Sequence, residues 1–161
     1  MNIFEHAIAL KDEKEAFYRQ LSQQCSNKGV QRLFRMLADE EEGHKKVIEN
    51  MAQKIPAKLA DSQVLRDAKA AFSDMFNDPT ETLCGPGQIE LYRKAVEYEK
   101  KAEKFYLEKE KQVQEDHQKD IFRRIAEEEV KHRQVLESVL DLVERPQRWL
   151  ENAEWYHLDE Y

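Results

Sequence analysis

Two segments of this chain carry the same arrangement of carboxylates and imidazole. Residues 122–132 read Phe-Arg-Arg-Ile-Ala-Glu-Glu-Glu-Val-Lys-His, and residues 34–44, 88 positions earlier, read Phe-Arg-Met-Leu-Ala-Asp-Glu-Glu-Glu-Gly-His. Each ends in Glu-x-x-His: Glu41 with His44, and Glu129 with His132. Residues three apart on a helix share a face, so each pair can grip one metal ion. In a chain with 37% charged residues, one such pair alone reads as a solvated acidic face. Two in the same register are much harder to ascribe to chance. Carboxylate oxygens and imidazole nitrogens suit Fe, Mn or Zn, and carboxylates from neighbouring helices can bridge two ions.

The repeat dictates the elements that must position these groups. At the same offset Ala7 matches Ala95, Glu15 matches Glu103, Phe17-Tyr18 matches Phe105-Tyr106, and Glu49 matches Glu137. Each half is therefore a helix carrying Phe-Tyr followed by a helix carrying Glu-x-x-His. Two such antiparallel pairs make an all-α four-helix bundle, and di-iron carboxylate bundles use Glu-x-x-His on two helices with one Glu on each of the others. The first helix is expected from the N-cap Asn2 to about Cys25, ended by Asn27-Lys28-Gly29. The second runs from about Val30 to Lys54, stopped by Pro56. The third is expected over about 88–115 and the fourth over about 117–143, ending before Pro146. Inward stripes are expected at Phe4, Ile8, Lys11, Glu15 and Tyr18 on the first helix, and at Tyr92, Val96, Glu99, Glu103 and Tyr106 on the third.

Residues 55–86 form a long crossover with a short helical pattern, including Val64, Leu65, Ala68, Ala71 and Phe72. The bundle with its crossover is read as one domain, 1–145. The tail, 146–161, holds Trp149, Leu150, Trp155, Tyr156, Leu158 and Tyr161, and this aromatic content predicts packing on the bundle or on a partner chain. A third Glu-x-x-His, Glu154 to His157, has no matching partner and is read as chance.

Composition narrows the function class. A net charge of −7 opposes nucleic acid or an anionic membrane as a partner and favours cations as ligands. The N-terminus lacks the basic region and apolar run of a signal peptide, and no apolar stretch approaches the ~20 residues of a membrane span, so a cytoplasmic protein is expected. Four Gly and four Pro leave the helical pattern almost uninterrupted. Cys25 and Cys84 are far apart and in no Cys-x-x-Cys spacing, so neither a rubredoxin-type site nor a disulfide framework is indicated; ordinary thiols are expected.

The third helix, with Ala95, Glu99, Ala102, Phe105 and Tyr106, together with both Ala-[Asp/Glu]-Glu-Glu-x-x-His segments, resembles the rubrerythrin-like, ferritin-like family. The resemblance covers about residues 3–143. It implies a ferritin-like bundle, in which the long crossover lets the second and third helices run parallel, and a non-haem di-iron site in a homodimer that reduces peroxide or otherwise handles iron and oxygen species. Position by position, it implies that Glu99 is a ligand from the third helix, that Glu41 and Glu129 are bridging or terminal carboxylates, and that His44 and His132 each bind one iron. Without a rubredoxin module in this chain, an external electron donor is implied.

The first helix departs from the pattern. Seven residues before Tyr18, where the family has its fourth Glu, stands Lys11. Two Fe²⁺ with four carboxylates are neutral, whereas two with three carboxylates and an ammonium carry +2, and an ammonium a few ångströms from a dication is strongly repelled. Three outcomes are open. Glu15, one turn on and ~40° around the helix, supplies the missing carboxylate; or the site holds a single Fe, Zn or Mn ion with Lys11 paired to Glu41 or Glu99; or Lys11 ends metal function and leaves a binding or structural module. Tyr18 and Tyr106 are candidates to hydrogen-bond the carboxylates or supply an electron, or are simply core. The sequence thus poses an iron-binding oxidoreductase with an altered site against a non-enzymatic metal-binding or interaction module.

Overall fold

The computed structural model describes residues 2–77 and 87–144. They form five helices and, among the described residues, no strand: α1 (Ile3–Gln24), α2 (Lys28–Ala52), α3 (Val64–Asn77), α4 (Gly87–Glu110) and α5 (Asp116–Glu144). The aromatic tail, the third Glu-x-x-His motif and residues 78–86 of the crossover lie outside the described residues.

Capping chemistry sets where the first pair of helices begins. Asn2 accepts from the Glu5 amide while the Glu5 carboxylate reaches back to the Asn2 amide, a reciprocal capping box. The buried Asn27 accepts from the Gly29 and Val30 amides and so starts α2 only three residues after α1 ends. The tight connection makes α1 and α2 an antiparallel pair, and α4 and α5 pair in the same way across residues 111–115. These two pairs dominate the packing, with α3 laid against α2 and α5. Gly29 permits that close approach: a Cβ there would collide with the Ala71 carbonyl oxygen and the Met75 amide nitrogen of α3.

Two apolar clusters form the core. One gathers Tyr18, Leu21, Phe34, Leu37, Phe72, Tyr92 and Leu136, and the other gathers Ile48, Met51, Tyr106, Phe122 and Ile125. Stacked rings thread each, Phe34 on Tyr92 at 5.4 Å and Tyr106 on Phe122 at 5.9 Å between centroids. Between the clusters lies a band of buried charge.

The expected α1 stripe is corrected in part. Its buried residues are Ala7, Lys11, Lys14, Tyr18, Leu21 and Ser22, so the helix is rotated towards Ala7 and Lys14 and away from Ile8 and Glu15. The expectation for the cysteines is corrected too. Cys25 is buried and disulfide-bonded, not an ordinary thiol, because separation along the chain does not fix separation in space. Cys84 lies outside the described residues.

Candidate metal centre

Each of the four long helices contributes to the charged band. Glu41 and His44 come from α2, Glu99 from α4, Glu129 and His132 from α5, and all five are buried. Ligand atoms of Glu41, Glu99, Glu129 and His132 lie within 4.8 Å of one another. Four of the five candidate ligands thus share one cluster, while His44 falls in a second group with Glu40 and Glu128, its Nδ1 3.9 Å from Glu129 Oε1.

Helix α1 delivers two lysines into the same space. The Lys11 ammonium contacts Glu41 Oε2 at 2.8 Å, Glu129 Oε1, and His44 Nδ1 at 3.0 Å. Lys14 contacts Glu41 Oε1 at 3.0 Å, Glu99 Oε2 at 2.9 Å, and Glu129 Oε2. Glu41 and Glu129 thus each present one oxygen to each ammonium, as bridging carboxylates would to a pair of ions. The two lysines stand as resident cations among the carboxylates.

Their charge state follows from the surroundings. Burial opposes the charge on Lys11, but Glu129 and Glu41 outweigh it and hold the ammonium above the usual lysine range. Burial works against Lys14 likewise, and Glu129, Glu41 and Glu99 carry it well above that range. On the acid side, burial would raise Glu129, yet Lys11 and Lys14 hold it well below the usual carboxylate range. Glu41 is also lowered, the two ammoniums overcoming burial and the repulsion of Glu129. Glu99 goes the other way: burial and Glu129 push it up to about 7. His132 is raised well above the usual imidazole range, since Glu40, Glu41 and Glu99 together overcome its burial.

The outer contacts orient the imidazoles. His44 Nε2 meets Glu128 Oε2 at 2.5 Å, and His132 Nε2 meets Glu40 Oε1 at 2.7 Å. The Lys11 ammonium can only donate, so His44 Nδ1 accepts and its Nε2–H donates to Glu128. That tautomer, with a carboxylate behind the ring and a lone pair facing inward, is the one a metal-binding histidine adopts. His132 Nδ1, fully buried, has no hydrogen-bond partner among the described residues; it faces Glu41 Oε1 at 3.3 Å, Glu99 Oε1 at 3.8 Å and Glu129 Oε2 at 4.0 Å.

Glu15 is not in the centre; it is half-buried and pairs with Arg19 at 3.1 Å, because its side of α1 turns towards solvent. Lys11 pairs with Glu41, one of the two alternative partners considered, and also with Glu129. Tyr18 donates to Glu99 Oε1, and burial followed by Glu99 raises its hydroxyl well above the usual range. Tyr106, its repeat counterpart, finds no hydrogen-bond partner among the described residues, and its ring lies 5.1 Å from the Lys11 ammonium. Where a Glu at position 11 would accept from Tyr106, as Glu99 accepts from Tyr18, a lysine stands instead.

Sequence reasoning missed Lys14, Glu40 and Glu128. Lys14 had a signal: it lies three residues after Lys11, and its repeat counterpart is the buried Ala102. Glu40 and Glu128 are themselves counterparts, each immediately before a Glu-x-x-His glutamate.

By donor type the set fits one divalent ion better than two. Glu41, Glu99, Glu129 and His132 surround one position, which the Lys14 ammonium contacts through three of them, and the neighbouring position, bounded by Glu41, Glu129 and His44, holds the Lys11 ammonium with no exposure to solvent. No helix among the described residues is long and apolar enough to cross a membrane. No curated protein and no solved structure matches the chain. The family model described as Rubrerythrin matches residues 2–140, and matches again over 90–156. The chain therefore belongs to the rubrerythrin family.

Proposed function

We propose that this protein is a metal-binding member of the rubrerythrin family that holds a single divalent ion and is not a di-iron peroxide reductase. The family suggests a non-haem iron protein, and the carboxylate and histidine cluster supports metal capacity. The observation that carries the narrower reading is Lys11. Its ammonium is wholly buried between Glu41, Glu129 and His44, and an ion placed there would meet a fixed positive charge at contact distance. Glu41, Glu99, Glu129 and His132 would hold the ion, and Tyr18 would position Glu99. A bound Fe²⁺ or Mn²⁺ would supply Lewis acidity and, for iron, a redox couple. Around it the chain's own groups exclude water and fix the carboxylates; Lys11 keeps one oxygen each of Glu41 and Glu129 engaged.

The test is the stoichiometry of anaerobic Fe²⁺ binding to the intact chain, read by elemental analysis after gel filtration. One ion per chain is expected, with peroxide oxidising the bound Fe²⁺ no faster than free Fe²⁺. Two ions per chain, with rapid oxidation by peroxide, would instead support a di-iron oxidoreductase fed by an external electron donor. No bound ion would leave a purely structural or interaction module.

A further inference from the structure

The two buried lysines are not equivalent. Lys11 is fully enclosed, its ammonium between Glu41, Glu129 and His44 Nδ1 and its approach covered by the Tyr106 ring. Lys14 also lines a cavity of about 350 Å³ between α1 and α4, together with Leu10, Glu13, Tyr98, Lys101 and Phe105. Its ammonium ends on Glu41, Glu99 and Glu129, three of the four residues whose ligand atoms converge. The fourth, His132, is buried there with an Nδ1 that no described group hydrogen-bonds.

We propose that Lys14 is a displaceable cation. When a divalent ion binds Glu41, Glu99, Glu129 and His132, the Lys14 ammonium leaves those carboxylates and swings into the α1–α4 cavity. This rests on the one-ion reading above and adds how the site is guarded.

Charge favours one exchange and not two. With all three carboxylates ionised and His132 neutral, as a ligand must be, two ammoniums leave the inner set with one uncompensated negative charge. Replacing Lys14 by a dication brings the set to neutrality while Lys11 stays in place. Replacing Lys11 as well would overshoot to a net positive charge in a buried volume, which desolvation penalises. Geometry favours Lys14 as the group that moves. Its four-carbon stem can lie along Leu10, Tyr98 and Phe105 while the ammonium reaches the mouth of the cavity, where the exposed Glu13 carboxylate waits. Lys11, with no exposure to solvent, is not among the residues lining that cavity. The seat is thus kept filled by a cation of the protein's own, and an incoming ion must compete with three ion pairs, which weakens binding and selects for divalent charge.

Mn²⁺, which binds carboxylates and does not oxidise under these conditions, is the probe. In the intact chain, acetic anhydride labelling followed by peptide mass spectrometry reads the accessibility of each lysine. Saturation with Mn²⁺ is expected to raise Lys14 labelling at least fivefold and leave Lys11 unlabelled. Titration calorimetry on Lys14→Met is expected to show Mn²⁺ binding at least tenfold tighter at an unchanged one ion per chain, with circular dichroism confirming the fold. If one Mn²⁺ binds and Lys14 labelling does not change, the displacement is overturned while the one-ion reading stands. Two ions, or none, overturn that reading and the displacement with it.

Discussion

At the residue scale the centre turns on one substitution between repeats: Lys11 stands where the second half has Glu99. The consequence reaches beyond charge. Tyr18 keeps a carboxylate to donate to, whereas Tyr106 loses its acceptor and lies instead near an ammonium. Removing the Lys11 ammonium while keeping its volume would leave Glu41 and Glu129 facing each other with Lys14 alone to compensate. Lys11→Met is therefore expected to destabilise the metal-free protein by about 3–5 kcal/mol, the usual consequence of removing one partner from a buried ion pair. Urea denaturation measures it; a loss below about 1 kcal/mol would mean that the pair contributes little. Lys11 was legible because the repeat provides a glutamate to compare it with. Lys14 was not, because an inward stripe drawn at spacings of four and three passes through Glu15, and a rotation of the helix by less than a third of a turn exchanges one for the other. Nor could sequence reveal that two lysines would share the same two carboxylates.

At the element scale the four long helices were legible from caps and breakers: Asn2, Asn27, Pro56 and the paired Glu-x-x-His segments bound them to within a few residues. The largest discrepancy is the end of α4, at Glu110 instead of about 115, where a turn at Lys111-Gln112 buries Val113. The crossover helix α3 showed only as a weaker apolar pattern, and its seat on α2 depends on a feature that looks ordinary in sequence. Gly29 falls in the first turn of α2, where it reads as a helix stop for α1, yet its missing side chain is what admits the α3 backbone. Gly29→Ala is expected to force α3 outward and cost about 1–3 kcal/mol, the range for overpacking a tight contact. A lowered melting temperature with intact α1–α2 helicity would bear this out, and an unchanged one would show that α3 yields freely.

At the scale of the whole molecule, two apolar clusters enclose a layer in which buried acids are paired with cations of the same chain. The carboxyl groups of Glu41, Glu99 and Glu129 meet the ammoniums of Lys11 and Lys14 and the imidazole of His132. Chelation should therefore leave the bundle intact. Protein treated with EDTA is expected to melt within about 2 °C of untreated protein, and saturating Mn²⁺ at a hundred times its Kd to add about 2.7 kcal/mol by mass action. Calorimetric melts with and without chelator check both; collapse on chelation would mean that metal, not lysine, holds the centre together. A bundle whose buried acids are already countered by lysines of its own chain can complete its folding before any ion arrives. An ion bound there would come to a finished protein, and its loss would empty the site without unmaking the molecule.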